Sequence, residues 1–250
     1  MRVEYADISL VGGRDDNQDR ARIVASPHAV LMIVSDGMGG HSDGALAAET
    51  AVNVIAAAFE KQPHPLMDPM GFLHLTLGLA HREVVALGMQ LPIEQRPRAT
   101  IAVCIVQGDG AWWAHIGDSR IYHLRQGRIL DRTRDHSHVE FLIRERVISA
   151  EQAQGHPMRN FVECCLGGEP LLAEMCVGGL RRLEDRDVLL LCSDGLWGGL
   201  EEADIATSVS RAPDNALRDT LSTLAAKAVA ANGPTSDNTS GAVLRWHSVS

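Results

Sequence analysis

The sequence predicts an α+β fold in which antiparallel sheets are covered by pairs of helices. Short apolar runs, which are typical of buried strands, recur along the chain in groups. Two longer stretches between those groups carry apolar residues at helical spacing. Residues 107–111, Gln-Gly-Asp-Gly-Ala, join two neighbouring apolar runs as a hairpin turn. Hairpin-linked strands with helices between the groups favour this arrangement over a parallel sheet built from alternating strands and helices.

Strands are predicted at 29–35, 100–107, 111–116, 120–125, 188–192 and 241–246. Ser42 and Asp43 are candidate N-caps of a first helix, which is predicted by a stripe on one helical face: Leu46, Ala47, Thr50, Ala51, Val54, Ile55 and Ala58. Further helices are predicted over 70–89 and 216–231. Because no repeat, charge block or long linker divides the chain, we expect one domain over residues 1–250.

The segment 137–165 carries two weaker helical patterns. The first is a spaced apolar set, Val139, Leu142, Ile143 and Val147. In the second, Ser149 and Gln152 form a capping box at the start of a short helix. The charged residues Arg144–Arg146 and Arg159 lie in the same segment.

Composition and charge exclude several classes of protein. The 250 residues are 45% hydrophobic, which suffices for a packed core, and their formal charge of −9 argues against nucleic acid or an anionic membrane as partner. The 5 cysteines include no C-x-x-C pair, so zinc-site spacing is absent and a reducing compartment is favoured. Without a leader or an apolar stretch of about 18 residues, the chain is expected in the cytoplasm.

Acidic residues stand at the ends of the predicted strands. The strands at 29–35 and 188–192 each run into Ser-Asp-Gly, which contains Asp36 and Asp194. The strand at 111–116 runs into Gly-Asp-Ser, with Asp118, and Asp237 immediately precedes the last strand. Each acid on its own would be explained by turn formation. All of them together, with Asp19 near the start of the chain, favour a shared site at the edge of the sheets.

A cluster of carboxylates needs neutralisation, because like charges a few ångströms apart raise one another's pKa. Divalent cations supply it, and ligands that are all oxygen favour Mg²⁺ or Mn²⁺ over Zn²⁺. Two such ions about 3.5–4 Å apart can bind a phosphate and generate a hydroxide nucleophile near neutral pH. Arg14, five residues before Asp19, is a candidate bidentate phosphate ligand, although a solvated loop charge is its simpler interpretation.

Eight segments that lie in order between Gly12 and Leu244 resemble the metal-dependent protein serine/threonine phosphatases (PPM, type 2C) in their compact bacterial form. They read GGRDDNQD, VSDGMGGHSDG, ATIAVCIV, HIGDSRIYHLRQG, DRTRDHS, HPMRN, DVLLLCSDGLWGGL and SDNTSGAVL. The resemblance implies a β-sandwich of two antiparallel sheets flanked by pairs of antiparallel helices, with a metal centre at one end. It also implies a flap at about 137–165, for which an ordinary helical connection is the alternative.

The same resemblance assigns roles to the strand-end acids. Asp36 would bridge two metal ions, and the carbonyl of Gly37 would ligate one of them. Asp194 and Asp237 would ligate the other ion, and Asp19 would hold metal-bound water. Attack is then expected from a metal-bridging water directly on phosphorus, without a phosphoenzyme.

Three further assignments follow from the matched motifs. Asp118 corresponds to the acid that binds a third metal in bacterial members, and Arg14 corresponds to the phosphate-binding arginine. The proton-donating histidine that follows Asp-Gly in eukaryotic members is replaced by Met38. His41 is then a candidate general acid, with a structural loop histidine as the alternative. A ligand role for His136, in the DHS segment, is not expected.

The function predicted from this resemblance is hydrolysis of phosphoserine and phosphothreonine in proteins with Mn²⁺ or Mg²⁺ as cofactor. The expected partners are phosphoproteins and a cognate bacterial serine/threonine kinase, with control of type VI secretion as one setting and a monomer as the expected state. Two alternatives are a catalytically silent relative that only binds and a metal-dependent phosphodiesterase.

Overall fold

The computed structural model describes residues 1–38, 42–172 and 174–248, and of Ser42 and Gln154 only the backbone. Its strands are β1 (Arg2–Leu10), β2 (Arg20–Ala25), β3 (Ala29–Ser35), β4 (Gly37–Met38), β5 (Arg98–Ala99), β6 (Ile101–Gln107), β7 (Gly110–Ile116), β8 (Arg120–Arg125), β9 (Arg128–Arg132), β10 (Leu166–Gly167), β11 (Cys176–Arg182), β12 (Val188–Cys192) and β13 (Thr239–His247). Its helices are α1 (Ser42–Glu60), α2 (Pro69–Leu87), α3 (His138–Arg144), α4 (Ala150–Gln154), α5 (Asp194–Trp197), α6 (Glu202–Ser210) and α7 (Leu217–Asn232), with short 3₁₀ turns at Ile93–Gln95 and Gly233–Thr235.

Two antiparallel sheets of five strands form a sandwich. One has the order β1-β13-β12-β8-β9 and the other the order β11-β7-β6-β3-β2. A small sheet of β10, β5 and β4 stands beside them. The predicted sandwich of antiparallel sheets is therefore confirmed.

Three clusters of buried apolar side chains hold the helices and the two large sheets together in layers. Alternate residues of β3 and β6 face either the helices or the other sheet, as the two-residue period of a strand requires. One cluster packs α1 and α2 on β3, β6 and β7, and a second packs α5, α6 and α7 on β12 and β13. The third fills the space between the sheets. The order is helices, sheet, sheet, helices, as predicted.

The predicted elements differ from the observed ones mainly at the sheet edges. Strands β3, β8 and β12 have the predicted bounds, and α2 and α7 lie within two residues of theirs. The edge strands β1, β2 and β9, the partly exposed β11, and the short helix α6 were not predicted, because their apolar residues alternate with polar ones or are few. The apolar set in α3 is not a core face, since no residue of that helix is buried.

The register brings the functional strand ends to one end of the sandwich. In one sheet the end of β3 lies beside the start of β2, with Ser35 opposite Arg20. In the other sheet the end of β12 lies beside the start of β13, with Cys192 opposite Gly241. The end of β7 lies at the same edge, because β6 starts there between β3 and β7. Within the described ranges, no helix is long and apolar enough to cross a membrane.

Candidate metal centre

Five aspartates from both sheets interact at this end of the sandwich. Asp36 follows β3, Asp118 follows β7 and Asp194 begins α5 directly after β12. Asp19 precedes β2, and Asp237 lies just before β13. The charges of the other four all act on Asp36. The structure thus brings together the strand-end acids that the sequence analysis singled out.

Asp19 links the two sheets. Ser193, directly after β12, donates a hydrogen bond of 2.7 Å to Asp19 Oδ2 and so joins the start of β2 to the other sheet. The second oxygen of Asp19, Oδ1, is buried without a hydrogen-bond partner, and so is Oδ1 of Asp194. A buried acceptor without a partner is costly, so each marks a place where a cation or ordered water is required.

Burial and mutual repulsion oppose ionisation of the cluster. Burial raises the pKa of Asp19 to about 7, and the charge of Asp194 adds to the rise. Burial and the charge of Asp237 raise the pKa of Asp194 to about 6. Burial also raises the pKa of Asp36 and of Asp118, and in both the charge of Asp194 contributes. These acids can share one site as carboxylates only when positive charge compensates them.

Backbone packing fixes Asp36 and Gly37. The amide of Asp36 donates to Thr100 Oγ1 at 3.0 Å, and its carbonyl accepts from the Thr100 amide at 2.8 Å. A side chain on Gly37 would overlap the carbonyl oxygens of Gly44 and Gln18, so only glycine fits between these backbone segments. The turn after β3 is therefore rigid, and the backbone carbonyl of Gly37 lies within the same turn.

Asp118 is held by the Gly-Asp-Ser turn and by an arginine that follows it. Trp197 donates to the Asp118 carbonyl at 3.0 Å. Arg120 lies 3.5 Å over the Trp197 ring and makes two hydrogen bonds, of 2.9 and 2.7 Å, to Asp135. Burial lowers the pKa of Arg120, but the hydrogen bonds and charge of Asp135 outweigh it and raise that pKa above its ordinary value, so the guanidinium stays charged.

The loop before β2 carries Arg14 to the same site. Arg14 donates to Asp237 Oδ2 at 2.7 Å, and its side chain is 57% exposed. The hydrogen bond and charge of Asp237 raise the pKa of Arg14, which keeps the guanidinium charged. Gly12 adopts a left-handed φ of 65°, and a side chain there would overlap the carbonyl of Asp237. The loop is thus pressed against the residues that precede β13, with one face of the guanidinium open to solvent.

Asn238 and Ser193 are functional candidates that sequence reasoning missed. Asn238 accepts from the Gln18 amide at 2.8 Å and donates to the carbonyls of Val11 and Asp16 at 2.8 and 2.9 Å. It therefore clamps the arginine loop to the strand that follows Asp237. Both residues stand next to a predicted metal ligand, Asn238 after Asp237 and Ser193 before Asp194. Neither is charged, so a search for acidic residues does not select them.

The remaining predicted residue, His41, lies outside the described residues. Met38, which stands where eukaryotic members have the histidine, is in β4 and pairs with Arg98 of β5.

The donor set fits hard divalent cations. Carboxylate oxygens and one backbone carbonyl are the ligands that Mg²⁺ and Mn²⁺ prefer. Two of the buried carboxylates have an oxygen that no protein group satisfies, and the charged, partly exposed Arg14 lies at the rim beside Asp237. Such a centre is suited to binding a phosphate group and hydrolysing it.

The comparisons with known proteins agree with this chemistry. The family model for protein phosphatase 2C matches residues 13–232. Protein phosphatase PhpP of Streptococcus pneumoniae is 32% identical over 200 residues, which cover 78% of this chain and 80% of that protein.

Solved structures share the fold over nearly the whole chain. The Streptococcus agalactiae serine/threonine phosphatase superimposes with a TM-score of 0.86 at 30% identity, covering 97% of this chain and 99% of that one. The catalytic domain of PstP, solved in complex with 2 manganese ions, has a TM-score of 0.82 at 25% identity, with 98% and 99% covered. PppA of Pseudomonas aeruginosa, described as a regulatory component of its type VI secretion system, has a TM-score of 0.79 at 26% identity, with 98% of both chains covered. This chain therefore belongs to the protein phosphatase 2C family.

Proposed function

We propose that the five-aspartate cluster is the catalytic centre of a metal-dependent serine/threonine protein phosphatase. The chain is an enzyme of the phosphoric monoester hydrolase class, and its substrates are phosphoproteins. The observation that carries the proposal is the convergence of buried carboxylates, two of them with an unsatisfied oxygen, beside an exposed arginine. This combination binds divalent cations on one side and an anion on the other.

In this proposal the acids divide between the metal ions. Asp36 and Gly37, in one turn, would hold the first ion, with Asp36 shared with the second. Asp194 and Asp237 would complete the second, and Asp118 with Asp194 would hold a third. Bound there, Mn²⁺ or Mg²⁺ would neutralise the carboxylates and make water nucleophilic near neutral pH. Asp19, which Ser193 holds across the sheets, would accept a hydrogen bond from water at the centre.

Arg14 orients the phosphate in this site. Its guanidinium is planar and always charged, so it can hold two phosphate oxygens at once. Its loop is fastened by Asn238, which keeps the guanidinium beside Asp237. Orientation of the phosphate by a fixed cation is a large part of what a hydrolase contributes to the reaction.

The leaving serine or threonine oxygen needs a proton, and we assign its donor to His41. The assignment rests on the matched motif alone. His41→Ala should slow aryl phosphates little, because a good leaving group departs without a proton, and should slow phosphopeptides more. Equal losses on both substrates would exclude the role.

We further propose one catalytic domain over residues 1–250 with the segment 137–165 as a substrate-contacting flap. No residue of its helix α3 is buried, and α4 begins with the predicted capping box of Ser149 and Gln152. The backbone amide of Glu163 donates to the carbonyl of His136 at 2.8 Å, so both ends of the flap meet near the Asp118 turn. Loops beside a rigid site commonly carry specificity.

Arg146 is exposed between α3 and α4, and its substitution tests whether the flap contacts the substrate. Arg146→Ala should lower kcat/KM on phosphopeptides while p-nitrophenyl phosphate changes less than about threefold, because remote contacts exist only in the larger substrate. Arg211→Ala, an exposed arginine after α6, is the matched control. Parallel losses on both substrates would mean that the segment supports the fold instead.

The setting of the enzyme follows from its chemistry. A serine/threonine kinase must supply its substrates, so we propose a cognate kinase and its targets as partners, with type VI secretion as one candidate setting. We propose the cytoplasm as location, since all five cysteines are free thiols. A monomer is the proposed state, which sedimentation would test.

The deciding experiment measures hydrolysis of p-nitrophenyl phosphate with EDTA, Mn²⁺ or Mg²⁺. Activity should vanish in EDTA and return with either ion. Asp36→Asn or Asp237→Asn should cost at least about a hundredfold in rate, the order expected for a main electrostatic element. Asp109→Asn, an exposed acid at the opposite end of the sandwich, is the control. An inert wild type would favour a binding-only relative, and turnover of bis-p-nitrophenyl phosphate would favour a phosphodiesterase.

A further inference from the structure

Three side chains with nitrogen and sulfur donors meet outside the aspartate cluster. His115 lies near the end of β7, Cys176 begins β11 and His136 lies in the loop after β9. His115 and Cys176 are direct partners in the antiparallel register of β7 and β11, so their side chains leave the same face of the sheet. One donor atom from each of the three residues lies within 4.8 Å of the other two.

His115 is fixed in the tautomer that a metal ligand requires. Its Nε2 lies 2.7 Å from the carbonyl of Arg134, which can only accept, so Nε2 carries the proton. Burial lowers the pKa of His115 to about 4, so the ring is neutral. Its Nδ1 therefore has a free lone pair, and it is buried without any hydrogen-bond partner. Metal-binding histidines typically donate their other N–H to a carbonyl in this way.

The other two donors already touch. Nε2 of His136 lies 3.3 Å from Cys176 Sγ, and the rings of His115 and His136 are 4.7 Å apart between centroids. Both His136 and Cys176 are only partly buried, which leaves an entry path for an ion. The carboxylate of Glu174 acts electrostatically on both residues.

We propose that His115, His136 and Cys176 form a binding site for a thiophilic divalent cation, Zn²⁺ in the first place. Bonds of about 2.0–2.1 Å to nitrogen and about 2.3 Å to sulfur place the ligand atoms of a tetrahedral zinc site about 3.5 Å apart. The contact between His136 and Cys176 already matches this spacing, and the longest separation between donor atoms, which is within 4.8 Å, must shorten by at most about 1.3 Å. Water is left for the fourth position.

The chemistry of the donors separates this site from the aspartate cluster. Two imidazoles and a thiolate select zinc-like ions, whereas carboxylates and carbonyls select Mg²⁺ and Mn²⁺. The two sites can therefore be loaded with different ions in the same protein.

Binding has two structural consequences. Cys176 must lose its proton, while His115 already has its lone pair free and His136 only moves its proton from one nitrogen to the other. About one proton per ion is therefore released. Nδ1 of His136 now accepts a 3.3 Å hydrogen bond from the Gly117 amide. With the proton on Nδ1 that bond is lost, so the turn that leads to Asp118 responds to the ion.

Cobalt titration tests the site in the full-length protein. With excess Mg²⁺ present to occupy the aspartate cluster, Co²⁺ is added as an optical probe for zinc under a phosphine reductant. A thiolate-to-cobalt charge-transfer band should rise in the near ultraviolet, saturate at about one equivalent and disappear when Zn²⁺ displaces the probe. An all-oxygen site cannot produce this band.

Variants assign the ligands. Cys176→Ser should abolish the band, and His136→Ala should weaken Co²⁺ binding at least about a hundredfold, more than the loss of an outer hydrogen-bond partner costs. Cys164→Ser is the matched control, because Cys164 is also a partly buried thiol, and it should keep the band. The thermal midpoint of each variant shows whether it folds. If Cys176→Ser does not fold, the Co²⁺ affinity of His136→Ala tests the site instead. No band in the wild type, or a band that survives Cys176→Ser or depends on Cys164, would overturn the proposal.

Discussion

Replacing Asp19 with asparagine should stabilise the metal-free protein, and increasingly so as the pH rises. Burial raises the pKa of Asp19 to about 7, from an ordinary value of 3.8. The folded state therefore keeps the proton between those values while the unfolded chain loses it. The contribution of this acid to folding is fully present below about pH 4 and is lost as the pH rises toward 7. Asparagine retains an acceptor for Ser193 and carries no charge.

The size of the effect follows from the pKa. Each pH unit over which one state holds the proton and the other does not changes the free energy of unfolding by about 1.36 kcal/mol. Asp19 titrates only in part near pH 7. Between pH 5 and 7 the free energy of unfolding of the wild type therefore falls by about 2 kcal/mol relative to that of the variant. For a chain of this size, that corresponds to about 4–8 °C in Tm.

The comparison between variant and wild type is essential. Burial lowers the pKa of His115 to about 4, so this histidine makes stability increase with pH over part of the same window. The histidine is common to both proteins, and its effect cancels in the difference. Urea or thermal unfolding in EDTA at pH 5, 6 and 7 measures that difference, with Asp109→Asn as the exposed control. Saturating Mn²⁺ should reverse the order, because ions bind the carboxylate and stabilise the wild type by mass action.

This prediction is refuted if the difference in unfolding free energy between Asp19→Asn and wild type is the same at pH 5 and pH 7. It is also refuted if the metal-free wild type becomes the more stable protein at pH 7. Either result would mean that Asp19 ionises freely in the folded state and does not belong to a buried cluster of acids.

Three further substitutions test other parts of the site and fold. Arg14→Ala should raise KM for p-nitrophenyl phosphate about tenfold or more, with a smaller change in kcat; an unchanged KM would show that it does not touch phosphate. Asn238→Ala removes three hydrogen bonds and should cost about 2–3 kcal/mol in urea unfolding; full amide protection of the arginine loop in hydrogen exchange would contradict its clamping role. The hydrogen bonds of Arg125 and His123 outweigh burial and lower the pKa of Asp187 to about 2. The stability that Asp187 contributes is present above about pH 4 and is lost as the pH falls through 2. Asp187→Asn should therefore lower the free energy of unfolding by about 2 kcal/mol at pH 7. A variant as stable as the wild type at pH 7 would show that the contacts of Asp187 with Arg125 and His123 contribute nothing.

The sequence predicted much of the fold because its central strands are continuous apolar runs. β3 and β12 are buried on both faces, so every residue in them is apolar except the Ser35 that ends β3, and their bounds could be read directly. The edge strand β2 is half-buried up to its exposed last residue, Ala25, and carries Arg20 and Arg22, so it has no such pattern. The apolar residues of α3 resemble a core face in sequence, yet none is buried. Spacing indicates which residues share a face, and only the tertiary structure shows whether anything covers it.

The sequence by itself also determined the chemistry of the main site. An acid placed directly after a buried strand must lie at the edge of its sheet, and several such acids in one chain require cations. The motif order then indicated the family, which the comparisons confirm.

Only the tertiary structure decided which side chains hold those acids and their loops by hydrogen bonds, and where nitrogen and sulfur donors lie close together. Asn238 and Ser193 act through hydrogen bonds to loops more than 170 positions away in the chain. His115, His136 and Cys176 come from three separate segments, and no local spacing joins them. Cysteine spacing therefore predicted no zinc site, because a local motif reports ligands only where one segment supplies a pair of them. Strand register and loop packing bring distant residues together, and those are properties of the folded chain as a whole.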